Sequence, residues 1–265
     1  MDSIRECRTK EDIISTIQME FSSDFHNEKA VVLVEGSDDI KFVHKVFRDD
    51  VIAMESFSGK EGLKELMEDS YIQENNVISI RDRDYMDAAQ LLNGMFVYDK
   101  CCLELMLLSS KEVAESLRIH YQGNKKESFI IDAMRMLAPY SILRKKNELE
   151  NRGINFRAGF GDLVKSEEQF QIEKLFQRVG QDESVFYECS REASETSDEV
   201  LWNITNGHDI CLYLGCLSKI TDGNLGEEGV RKFILSAFRK SDFAETELHQ
   251  NISCYQQARN VHYID

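Results

Sequence analysis

Ala30-Val31-Val32-Leu33-Val34-Glu35-Gly36-Ser37-Asp38-Asp39 is an apolar run that stops abruptly at an acid and a glycine and continues into two further carboxylates. A short, unbroken apolar run closed by a turn signal reads as a strand buried in a core. Glu35 then stands at the rim of that core. Val77-Ile78-Ser79-Ile80 ends in the same manner, in Arg81-Asp82-Arg83-Asp84. Two strands that both finish in acids predict one shared rim able to hold a metal ion.

The flanking sequence supplies the rest of the pattern. Residues 9–25 read as a helix, with Thr9 as N-cap, Asp12 three positions on, and Ile13, Ile14, Ile17, Phe21 and Phe25 at helical spacing. Ser37 is a candidate cap for a helix whose apolar face is Ile40, Phe42, Val43, Val46 and Phe47. Residues 51–55 form a second strand, 57–62 a glycine-bearing loop leading to a helix from Leu63, and 95–98 a fourth strand. Strand and helix alternating in this way imply a parallel sheet with right-handed crossovers. Such sheets bind ligands beyond the carboxyl ends of their strands, where the strand order switches. In a 2-1-3 order, Glu35 and the Asp82/Asp84 pair are neighbours, and the two aspartates point to one face if their strand continues.

From Cys101 onward the pattern turns helical, beginning with a heavily apolar segment that carries one acid, Glu104. Helices are predicted at 111–121 and 126–137, a break at Pro139, then helices at 141–150, 166–179, 182–190 and 194–204. Asn206-Gly207-His208-Asp209 reads as a turn opening another helix, and two more follow at 226–239 and 243–260. The expectation is an α/β chain, with an N-terminal helix and a Rossmann-like parallel sheet in 1–108 and a mostly helical region in 109–265.

Composition narrows the class. The 265 residues are 42% hydrophobic and 30% charged, as in a folded globular protein. No apolar run approaches the roughly 18 residues of a membrane span, and the first residues lack a signal-peptide core, so a cytoplasmic protein without membrane contact is expected. None of the seven cysteines forms Cys-x-x-Cys or a zinc-finger spacing. The net charge of −16 argues against a broad nucleic-acid footprint. Within it, residues 118–165 hold ten basic side chains against five acidic ones. That is either a local contact surface or an ordinary solvated helical face.

The combination of strand-Glu-Gly-x-x-Asp with a third strand ending in Asp-x-Asp resembles the TOPRIM domain of topoisomerases, bacterial primases and OLD-type nucleases, over about residues 28–108. Val34-Glu35-Gly36-Ser37-Asp38-Asp39-Ile40, Ser58-Gly59-Lys60, Asp82-Arg83-Asp84, Leu103-Glu104 and Gly207-His208-Asp209-Ile210 follow in order. Together they resemble the TOPRIM-containing family of the AriB effectors of PARIS anti-phage defence. The resemblance implies a Mg²⁺-dependent endoribonuclease, with Mn²⁺ as a substitute ion, that cleaves tRNA. It further implies a toxic effector of abortive infection, held inactive by an ABC-type ATPase partner and active as a homodimer. The pattern departs from the wider family at Met86, where a further acid often stands; Asp87 comes one residue later.

Phosphodiester cleavage needs charge neutralisation, an activated nucleophile and a protonated leaving group. Carboxylates hold Mg²⁺ through hard oxygens, and the ion lowers the pKa of bound water and aligns the reacting oxygens. Asp82 and Asp84 are the leading metal ligands and Asp39 the next. Glu35 is a ligand or the general acid/base, its pKa raised by crowding with other acids. Glu104 either completes the metal site or pairs with a buried base. Lys60 is a candidate phosphate contact or a helix cap, and His208 a substrate contact or a turn residue. Asp38 reads as a helix-start acid, and Arg81 and Arg83 as salt-bridge partners of the aspartates. An OLD-like DNA nuclease and a non-catalytic docking module are the alternatives.

Overall fold

In the computed structural model the described residues are 8–24, 29–86, 91–121, 126–166, 169–220 and 225–265. Phe25 and Asp87, which entered the sequence reading, and Lys125, one of the ten basic residues counted in 118–165, lie outside them. The chain divides into two compact units, Met1–Asp99 with Arg239–Asp265, and Lys100–Phe238.

The first unit is built on a four-stranded sheet of order β2-β1-β3-β4, every pair parallel: β1 Ala30–Val34, β2 Val51–Glu55, β3 Val77–Arg81 and β4 Met95–Val97. The 2-1-3 order expected from the sequence is therefore present. All five residues of β1 are buried, as a strand covered on both faces requires. Alternate residues go to opposite faces. Val31 and Leu33 join Ile13 and Ile17 of α1 (Lys10–Ser22) and Leu63, Leu66 and Met67 of α3 (Gly59–Met67) in one core. Thr9 caps α1 as expected: it accepts from the Asp12 N–H at 3.3 Å while the Asp12 carboxylate accepts from the Thr9 N–H at 2.9 Å. Between α3 and β3 lies a short helix, α4 (Ser70–Glu74).

A separate aromatic cluster lies beside α2 (Ser37–Val46). Phe42 meets Tyr98 and Phe243 edge-on, each at 5.6 Å between ring centroids, and Phe243 also lies 5.7 Å from Phe47. Phe243 belongs to the C-terminal return, so the region expected as 109–265 is not continuous: Arg239–Asp265 groups with the sheet. Apolar burial explains the return, since Phe243 is 2% exposed and Tyr263 1%.

The second unit is mostly helical and carries α5 (Leu103–Ser109), α6 (Lys111–His120), α7 (Phe129–Glu150), α8 (Ile172–Arg178), α9 (Glu183–Glu195), α10 (Asp198–Ile204), α11 (Gly207–Ile220) and α12 (Glu227–Ala237). Two expectations are corrected here. Pro139 sits inside the 22-residue α7 and does not end it. The lost N–H and ring clash cost about 3 kcal/mol, and burial of Leu137, Ala138, Tyr140, Ile142 and Leu143 around it offsets that cost. The helix expected over 166–179 begins only at Ile172, because Val164–Ser166 (β5) and Gln169–Phe170 (β6) pair as an antiparallel ladder. Among the described residues Cys101, Cys102, Cys189 and Cys211 are buried, Cys216 is partly buried and Cys254 exposed, and none of these six forms a disulfide. No helix among the described residues is long and apolar enough to cross a membrane.

Helix α11 runs through the middle of this unit, and its glycines set how closely it is approached. A Cβ on Gly215 would lie 2.7 Å from the Glu227 nitrogen and 2.8 Å from the Gly226 carbonyl carbon, both backbone atoms. Backbone yields less readily than a side-chain tip, so Gly215→Ala is expected to lower stability by roughly 1–3 kcal/mol. A denaturant melt with an unchanged midpoint would remove Gly215 as the determinant of the α11–α12 approach.

Candidate active site

Val34 ends β1, and the chain leaves the sheet through Glu35 and Gly36 into α2. Ser37 is the first residue of that helix rather than its cap, and the N-cap is Gly36. The end is satisfied by Asp39, whose Oδ2 accepts from the Gly36 N–H at 2.9 Å, as a carboxylate in the first turn favours. Its other oxygen, Oδ1, accepts from the Tyr98 hydroxyl at 2.6 Å. Tyr98 is fully buried and follows β4 directly, so two strand ends and one helix start converge on Asp39.

Glu35 is the anomaly of the rim. Its Oε1 is buried and has no hydrogen-bond partner. The nearest cation is Arg81, with Nε 3.6 Å from Oε1, beyond hydrogen-bond range. Burial is the main force on this carboxyl, and it pushes the pKa up to about 7. Arg81 pulls the other way, Asp84 and Asp39 add to the rise as like charges, and a hydrogen bond with the Asp82 backbone opposes it. A carboxyl poised near neutrality is what proton transfer at neutral pH requires.

Arg81 closes β3 and is 8% exposed. Its Nε donates to the Asp82 carbonyl at 3.1 Å, and its Nη2 reaches Asp84 Oδ2 at 3.5 Å. Lys60, the second residue of α3, places Nζ 3.5 Å from the same Asp84 oxygen. Gly59 before it has φ +52°, and its carbonyl accepts from the Ser56 hydroxyl at 2.8 Å, fixing the loop that presents Lys60. Asp84 has φ +48°, uncommon for a residue other than glycine and recurrent at functional sites. The strand ends at Arg81, so Asp82 and Asp84 do not form the same-face strand pair that their spacing suggested. A turn carries them instead.

The structure thus brings Glu35, Asp39, Asp84 and Lys60 together around Arg81, with Asp82 in the connecting turn. Glu104 and His208 belong to the second unit. Glu104 lies in the first turn of α5 against Gly207, where a Cβ would run into its carboxylate and the Cys102 sulfur. His208 is 66% exposed, and its Nδ1 faces Glu227 Oε1 at 3.2 Å. Sequence reasoning passed over Tyr98 and gave Arg81 only a salt-bridge role. The signal for Tyr98 was its position directly after a strand of the same parallel sheet.

Among the described residues no three His, Cys, Asp or Glu side chains stand together as a ready metal cage. Mg²⁺ needs less than that: it is held by one or two carboxylates, with waters and substrate phosphates completing the shell. A buried carboxylate oxygen without a hydrogen bond, with Asp39 and Asp84 as acidic neighbours, fits that requirement.

Five of the ten basic residues of 118–165 are held in ion pairs. Arg118 pairs with Glu115, Arg135 with Asp198, Arg144 with Asp209, Lys146 with Glu188 and Glu192, and Arg152 with Glu150. Comparison with protein-family models, with curated proteins and with solved structures finds no match.

Proposed function

We propose that this chain is a Mg²⁺-dependent nuclease of the TOPRIM type, and specifically an endoribonuclease. The observation that carries the reading is the Glu35 oxygen, buried and without a hydrogen-bond partner at the carboxyl end of β1, beside Asp39 and Asp84. In this reading Glu35 holds the proton that is exchanged with the reacting oxygens. Asp84 and Asp82 supply the metal-holding carboxylates, with Asp39 kept in place by Tyr98. Lys60 and Arg81 meet the non-bridging oxygens of the scissile phosphate. Bound Mg²⁺ would contribute Lewis acidity and a more acidic water.

RNA is favoured over duplex DNA because the net charge is −16 and half of the ten basic residues of the 118–165 stretch are paired within the chain. A tRNA target, an anti-phage effector role, active homodimers and restraint by an ABC-type ATPase extend the reading on the strength of the motif order alone. Incubating the purified protein with total RNA and with plasmid DNA, with and without Mg²⁺, separates these readings. RNA loss that needs Mg²⁺ supports the proposal, DNA loss points to the OLD-like alternative, and neither points to a docking module.

The metal assignment has its own test. Mg²⁺ at 100 times its dissociation constant stabilises a binding protein by about 2.7 kcal/mol. Asp82→Asn with Asp84→Asn is expected to lose that gain in a thermal melt. An unchanged response to Mg²⁺ would remove both as ligands.

A further inference from the structure

The second unit contains a cavity of about 580 Å³ between the irregular 154–160 segment and the first turn of α11. Its volume lies in the range of small-ligand sites. Arg144 forms part of the wall. Its guanidinium lies 4.4 Å over the Phe156 ring and 5.3 Å from that of Tyr140. Its Nε donates to Asp209 Oδ2 at 2.5 Å and its Nη2 to Oδ1 at 2.9 Å. This pair cancels its own charge, so the wall is rigid and electrically quiet. The Glu227 carboxylate is likewise shared, by His208 at 3.2 Å and Arg231 at 3.8 Å.

The lining carries Arg144 and Arg157 against Asp209 and Glu227, and of its two arginines Arg157 stands outside these pairs. Arg157 is exposed, and no carboxylate among the described residues pairs with it. The 14-residue α11 also directs its N-terminal end at the cavity through Asn206, His208 and Asp209. Two amide side chains there have fixed orientations. Asn155 Oδ1 accepts from the Arg157 N–H at 2.9 Å and Asn206 Oδ1 from the Asp209 N–H at 3.2 Å. Their NH₂ groups are left as donors. Phe156 and Phe160 give the lining an aromatic part. Behind them Tyr140, 1% exposed, keeps a buried hydroxyl without a hydrogen-bond partner.

An unpaired arginine, amide donors in fixed orientation and an aromatic floor match an anion joined to a planar heterocycle with acceptor edges. We propose that this cavity binds a nucleoside phosphate, with the phosphate at Arg157 and the α11 end and the base against Phe156. The ligand is either a free mononucleotide or one nucleotide of a single RNA strand. The inference does not depend on the chemistry assigned to Glu35.

Titration calorimetry of the full chain with AMP, UMP, inorganic phosphate and a short single-stranded oligoribonucleotide tests it, without Mg²⁺. A mononucleotide or the oligonucleotide is expected to bind, and Arg157→Gln to weaken that binding about tenfold or more. Arg157 is exposed, so its replacement leaves the fold intact, which a thermal melt verifies. Binding of AMP or UMP in preference to the oligonucleotide supports the site and identifies a free nucleotide. The reverse supports it and identifies a strand. No binding by any nucleotide, binding indifferent to Arg157→Gln, or phosphate binding as tightly as AMP overturns the proposal.

Discussion

A Glu35→Gln protein is expected to lose the proposed phosphodiester cleavage by roughly 10²–10⁴-fold, the contribution of a positioned general acid/base, while keeping its fold. The substitution preserves size and shape and removes the ability to carry a proton. A second effect follows from the same carboxyl. Its pKa rises from 4.5 to about 7 on folding, so between those values the folded chain binds the proton and the unfolded chain does not. The associated stabilisation is present in full below pH 4.5 and is lost as pH rises through 7. Glutamine does not titrate, so the variant is spared this loss. It is therefore expected to melt higher relative to the parent at pH 8 than at pH 4.5, by up to about 3 kcal/mol. The side chain retains a quarter of its exposure, which makes that figure an upper bound. Parallel stability–pH curves for the two proteins would sink the idea of a strained carboxyl, and undiminished RNA cleavage by the variant would remove Glu35 from the chemistry.

The largest loss of stability is expected at Asp209. It is 5% exposed and holds Arg144 through two hydrogen bonds. Asp209→Ala leaves a guanidinium against aromatic rings with no carboxylate to answer it. Breaking a buried pair from one side costs roughly 3–5 kcal/mol, a fall in melting temperature on the order of 10 °C. Replacing both partners by apolar residues, Arg144→Met with Asp209→Leu, is expected to cost much less, because no charge is left stranded. A double variant as unstable as Asp209→Ala would show that the pair contributes more than mutual neutralisation.

The sheet was legible because its signals are local. Ala30–Val34 is apolar at every position and ends at a turn, Thr9 and Asp12 form a cap within four residues, and the strand–helix alternation restricts the topology. Glu35 stood out for the same reason. Contacts between distant residues were harder to see. Nothing near Phe243 announces that it will pack on Phe42. Pro139 was read by its intrinsic cost, which burial along α7 outweighs. The β5–β6 ladder is too short to carry a two-residue period. Asp82 and Asp84 were placed by strand geometry, whereas the chain turns at once and Asp84 takes a left-handed conformation. The pairing of the basic 118–165 stretch was invisible because most of its partners lie far along the chain, as Arg135–Asp198 and Arg144–Asp209 do.

The sheet-bearing unit is assembled from two pieces of chain that synthesis separates by all of Lys100–Phe238. The later piece is structural: Phe243 backs Phe42, Phe42 backs Tyr98, and Tyr98 holds Asp39. The Asp99 carboxylate accepts from the Glu247 and Leu248 N–H groups, and Tyr255 meets Phe96 edge-on. A nascent chain therefore carries Glu35 and both aspartates well before the buttress for Asp39 exists. At about 5–20 residues per second, that interval is roughly 7–28 seconds. For a protein proposed to attack the RNA that translation depends on, a rim completed by Arg239–Asp265 delays its assembly until that later piece has been made.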